Sequence, residues 1–98
     1  DTVRSVGLRS DAPLDAARFQ SWLSTLLREK GTDLFRMKGI LAFEGRDARF
    51  VFQGVHMLFD SQEDRAWGNT PRVSELVFIG RDLDRDALTE GFYACRAQ

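Results

Sequence analysis

One cysteine, one histidine and two prolines are all that the 98 residues hold of the types from which disulfides, metal sites and rigid turns are most often built. A lone Cys95 excludes an internal disulfide and an all-cysteine zinc site, and it fits a reducing compartment such as the cytoplasm. With His56 as the sole imidazole, a hydrolase would have a single base to draw on, and none of the serines sits in a GxSxG elbow. Net charge is equally scarce. Fourteen basic against fifteen acidic residues leave −1, too weak a field to draw the molecule onto nucleic acid or anionic lipid. Apolar runs such as Leu76-Val77-Phe78-Ile79 fall far short of the ~20 residues of a membrane span, and no charged-then-apolar leader opens the chain. Nor is there a GxxxxGK[ST] loop or a GxGxxG turn to cradle phosphates.

What is present is a globular mixture, 43% apolar and 30% charged, of a length that folds around one core. Residues 1–98 read as a single domain without repeats or linkers. Asp1 rather than Met opens the chain, as expected of a domain cut from a longer protein.

Thr2 to Arg9 reads as a short strand weakened by Gly7. Phe19, Trp22, Leu23, Leu26 and Leu27 recur on one helical face, with Asp15 as N-cap, Leu14 stapling onto Phe19 and Gly31 as the stop. Asp33 to Phe43 alternates, with Phe35, Met37, Gly39, Leu41 and Phe43 on one side and Arg36, Lys38, Ile40 and Ala42 on the other. After the polar turn Glu44–Asp47, Ala48 to Phe59 resumes β-type residues and completes a hairpin. By that alternation His56 shares a face with Phe50, Phe52 and Leu58, opposite Val55 and Met57. Asp60 to Arg72 shows neither period and is expected to be a surface loop. Val73 to Ile79 suits a buried strand, and Leu83, Asp84 and Leu88 repeat the start signal of the first helix. The expected order is β-α-β-β-β-α. That describes an α+β two-layer sandwich in which two helices cover one face of a four-stranded, mostly antiparallel sheet.

Candidate functional residues are few, and each has a structural alternative. His56 is a hydrogen-bonded sheet histidine, a weak metal or small-ligand site with Asp60 or Cys95 nearby, or a partner contact. Cys95, at inward spacing from Leu88 and Phe92, reads as a small buried hydrophobe. Arg36 and Lys38 project from one strand face, either solvated or offered to an anionic or acidic partner. Trp67, between Arg65 and Arg72, is a lid over the core edge or an exposed interface anchor. Together Arg36, Lys38, His56, Trp67 and Arg72 form the candidate interaction surface. Asp82, Asp84 and Asp86 are better read as helix-start residues than as catalytic carboxylates.

Arg36-Met37-Lys38-Gly39 before an apolar strand, then Phe52-Gln53-Gly54-Val55-His56, Trp67 ahead of Pro71-Arg72, Leu76-Val77-Phe78-Ile79-Gly80 running into Leu83-Asp84, and a closing helix with Cys95 together resemble the C-terminal domain of CobW-type proteins. The order and spacing of these pieces hold from about Val6 to Cys95. The resemblance implies a parent with an N-terminal P-loop GTPase domain, in a family tied to zinc homeostasis, metal insertion and cobalamin biosynthesis. GTP, Mg and zinc or cobalt would belong to that parent. The family's nucleotide motifs and CxCC metal motif lie in the GTPase domain, so no catalytic, cofactor or metal residue is carried onto this chain. It implies a cytoplasmic, non-catalytic regulatory or protein-interaction domain. The partners implied are the chain's own GTPase domain, a client metalloprotein or a second copy; the charge balance and the short apolar runs, for their part, lead to the expectation of neither nucleic acid nor membrane.

Overall fold

The computed structural model describes residues 2–56 and 58–98. Five strands form one sheet: β1 (Val3–Ser10), β2 (Leu34–Leu41), β3 (Ala48–Val55), β4 (Leu58–Ala66) and β5 (Ser74–Arg81), in spatial order β1-β5-β2-β3-β4. Every neighbouring pair is antiparallel. Helices α1 (Ala16–Lys30) and α2 (Arg85–Tyr93) share one face of it. The architecture is thus the expected α+β sandwich with one strand more than the four read from the sequence. The extra strand, β4, lies in the segment taken for a loop. It is an edge strand whose Asp60–Ala66 side chains are exposed on both faces, so no alternation marks it, and its charges discourage a further strand from adding there.

Both helix starts are as the sequence indicates. Asp15 accepts from the Arg18 amide at 2.9 Å and Asp84 from the Ala87 amide at 3.1 Å, while Leu14, Phe19, Leu83 and Leu88 are buried beside them. Gly31 ends α1, as the sequence indicates, without entering the left-handed region. Its φ is −57°, and the chain tightens into a 3-10 turn, Gly31–Asp33.

The core lies between the helices and the sheet, where Phe19, Phe78 and Phe92 are at most 1% exposed. Trp22 stands edge-on to Phe78 and Phe19 edge-on to Phe52, with ring centroids 6.1 and 5.2 Å apart. At Gly91 a Cβ would strike the Trp22 ring, so the missing side chain lets α2 approach α1. Buried Ser74 is structural: its Oγ accepts from the Ala42 amide at 2.9 Å.

Two strand readings are corrected. A bulge between Leu34 and Arg36 shifts the alternation, so Leu34 joins Met37 in the core while Phe35 is only half buried, its ring under the Arg81 guanidinium. And β3 stops at Val55, which pairs directly with Leu58. His56 therefore sits in a tight hairpin connection, exposed and at φ 58°, the left-handed conformation that two-residue hairpins favour. It does not share the face of Phe50 and Phe52, which look toward α1. Met57, expected on the Val55 side, lies outside the described residues.

Candidate functional site

The opposite face of the sheet carries no helix. Cross-strand pairing orders its side chains in rows, because directly opposed residues project to the same side. One row runs Ser5, Ile79, Arg36, Val55, Leu58; the next Gly7, Val77, Lys38, Gln53, Asp60; and a third Arg9, Glu75, Ile40, Val51, Gln62. The middle of this face is a trough of about 740 Å3, floored by aliphatic groups of β2, β3 and β5 and closed at one end by Trp67, Pro71 and Val73. Val77 at 40%, Val55 at 53% and Leu58 at 81% exposure are unusually open for apolar residues.

Arg36 and Lys38 rise from β2, the central strand of the sheet. Their row neighbours on β5 and β3 are Ile79, Val55, Val77 and Gln53. Among the described residues neither forms an ion pair or a hydrogen bond, although Arg46, Arg49, Arg72 and Arg81 each hold a carboxylate. Two cations two residues apart thus stand unpaired in an aliphatic setting.

Trp67 closes the trough as a lid. The residue is 5% exposed, its amide donates to the Asp47 carbonyl at 2.8 Å, and its ring lies 5.7 Å from the Arg49 guanidinium carbon. Arg49 pairs with Asp64 at 3.2 Å, while its Nε–H and the Trp67 indole N–H are buried with no acceptor in the structure. Arg72 fastens the loop around Trp67, donating to Asp47 Oδ1 at 2.6 Å and to the Arg46 carbonyl at 2.9 Å. Its charge is spent on that bracing.

The structure therefore brings Arg36, Lys38 and Trp67 to one trough, sets Arg72 as a brace of the loop at its end, and puts His56 and Cys95 elsewhere. His56 projects from the hairpin tip, its amide donating to the Phe35 carbonyl at 2.9 Å. Cys95 belongs to the far end and the other layer: its carbonyl accepts from Asp15, next to Leu14, which bridges Phe43 beyond the other end of β2. The seven residue steps from Phe35 to Ala42 span about 23 Å, so His56 and Cys95 cannot share a ligand. Cys95 is 2% exposed, its thiol donates to the Gly91 carbonyl at 3.3 Å, and burial pushes its pKa up to about 11, which keeps it protonated and a poor metal ligand. Among the described residues no three His, Cys, Asp or Glu side chains are placed to hold a metal ion. The described residues do not fit a zinc site. No described helix is long and apolar enough to cross a membrane.

Sequence reasoning missed the aliphatic floor of the trough, because Ile40, Val51 and Val77 read as ordinary strand residues until the order β5-β2-β3 sets them side by side.

Comparison with known proteins agrees with this architecture. The family model described as the cobalamin synthesis protein cobW C-terminal domain matches residues 3–96. The chain is 33% identical over 94 residues to the zinc chaperone YjiA of Escherichia coli, covering 96% of this chain and 30% of that protein. It is 40% identical over 57 residues to the zinc chaperone CobW of Pseudomonas aeruginosa, 57% of this chain and 15% of that protein. Crystal structures of the Zn(II)-bound YjiA GTPase from E. coli and of a Zn(II)-bound triple mutant of it superpose with a TM-score of 0.93, over 97% of this chain and 30% of theirs. The chain thus spans under a third of the length of these relatives. With the match running over nearly all of its residues, it belongs to the family of cobW C-terminal domains.

Proposed function

We propose that this chain is the accessory, non-catalytic interaction domain of a CobW-type metallochaperone GTPase, and that the helix-free face of its sheet is the surface by which it engages the GTPase module or a client protein. GTP, Mg and the zinc or cobalt cargo belong to the parent, in the cytoplasm. The observation that carries the reading is the open aliphatic trough with Arg36 and Lys38 unpaired on its central strand. Exposing such a surface is unfavourable, and covering it would recover about 25 cal/mol for each Å2 of apolar area removed from water. Family membership and two relatives named as zinc chaperones support the parent assignment.

The test is amide chemical-shift mapping of the 98-residue chain against the GTPase module of its parent. Shifts concentrated at Arg36, Lys38, Ile40, Val51 and Val77 are expected. Shifts confined to the helices, or none, would remove this face as the contact.

A further inference from the structure

The geometry points to an acidic amphipathic α-helix of a partner protein as the occupant of the trough, its carboxylates bound by Arg36 and Lys38. This rests on the docking reading above and adds the chemistry of what docks. The face of a sheet offers side chains only, since the backbone groups of β5, β2 and β3 are already used in their ladders. An extended segment lying there would leave its own amides and carbonyls unpaired under cover. A helix satisfies them internally, and helix on sheet is a standard layer packing.

Charge then selects the helix. Covering a cation without a partner is strongly unfavourable, so the occupant must bring anions to Arg36 and Lys38. Glu75, the carboxylate lining the trough, stands opposite Arg9 of β1 in the ladder, and Asp60 stands two strands from Lys38 with Gln53 between. Spacing agrees as well. Arg36 and Lys38 lie about 6.7 Å apart along β2, and residues i and i+4 of a helix are separated by about 6 Å of rise, so two glutamates one turn apart can meet both cations. The apolar stripe beside those glutamates would rest on Ile40, Val51 and Val77.

Three synthetic helices of about 18 residues test this: one with a leucine stripe flanked by Glu at i and i+4, one with Lys replacing those Glu, and a scrambled acidic peptide without the stripe. Titrated into the 98-residue chain, the first should bind at least about tenfold more tightly than either other, shifting amides of residues 36–40, 49–53 and 75–79. In the double variant Arg36→Glu, Lys38→Glu, with folding checked by circular dichroism, the preference should invert toward the Lys peptide. Equal binding of the Glu and Lys peptides overturns the proposal. So does equal binding of the scrambled peptide or a single-stranded DNA oligonucleotide, which would mean that charge alone is read. Dimerisation of the chain in sedimentation, abolished by the double variant, would give the face to a second copy. If the GTPase module shifts this face but the Glu peptide shows no preference, this inference falls and the docking reading stands. If neither shifts it, both fall.

Discussion

Gly39→Ala should be among the most damaging single-methyl changes in this protein. Gly39 faces Leu76 across the β2–β5 ladder, and a Cβ there would land on the Glu75 carbonyl oxygen, 2.7 Å from Leu76 Cδ1 and 2.8 Å from Leu76 Cα. Two of those three obstacles are backbone, so no rotamer change relieves them, and β5 is held on its other side by β1. Overpacking a core costs about 1–3 kcal/mol when side chains can yield; with backbone in the way the upper end, about 3 kcal/mol, is expected. For a domain of this size that is a fall in Tm of roughly 12–24 °C, measurable by calorimetry or as a lower urea midpoint. Gly7→Ala is the control. Gly7 is also a strand glycine, but nothing lies within 4 Å of its added Cβ, so alanine there should be neutral or stabilising by about 0.4–1 kcal/mol. A Gly39→Ala variant within about 0.5 kcal/mol of the parent, or both variants moving together, would refute the close approach of β2 to β5.

Other outcomes follow from single contacts. Asp15→Ala and Asp84→Ala each remove an N-cap and should each cost about 1 kcal/mol in denaturant titrations, near-additively in the double variant. Ser74→Ala leaves the Ala42 amide buried without an acceptor and should cost about 1–3 kcal/mol by the same assay. Cys95 should resist alkylation at pH 8 in the native state and react only on unfolding. Because its folded pKa is raised from 9.0 to about 11, its contribution is fully present below pH 9 and lost as pH rises toward 11. The stability difference between parent and Cys95→Ala should therefore narrow over that window, and a difference flat with pH would contradict the burial.

Local chemistry explains what could be read in advance. Caps and staples act over four residues, so Leu14-Asp15 and Leu83-Asp84 announce their helices without knowledge of the fold. The four-stranded expectation failed where strand character came from pairing alone: Asp60 to Ala66 is a strand because β3 offers it an edge, and its side chains bury nothing that would impose a period. The turn at His56 was hidden for a related reason. No Gly, Asn or Pro occupies the connection, and Gly54, a turn signal two residues earlier, instead serves close packing, with the Phe59 ring lying where its Cβ would be. Arg36 and Lys38 were visible as a pair on one face; their lack of partners depends on which strands flank β2, which is tertiary information.

The position of β5 sets a timetable for folding. It is the last strand to be synthesised, yet it lies between β1 and β2, and Val3 must wait for Arg81 and Ser10 for Ser74. At roughly 5–20 residues per second, a nascent chain holds β1 unpaired for some seconds, its apolar residues open to chaperones or to other chains. Closure is then long-range and slow, a zip driven from the C-terminal side. Truncation before residue 74 would remove the keystone and not an edge, leaving β1 with nothing to join.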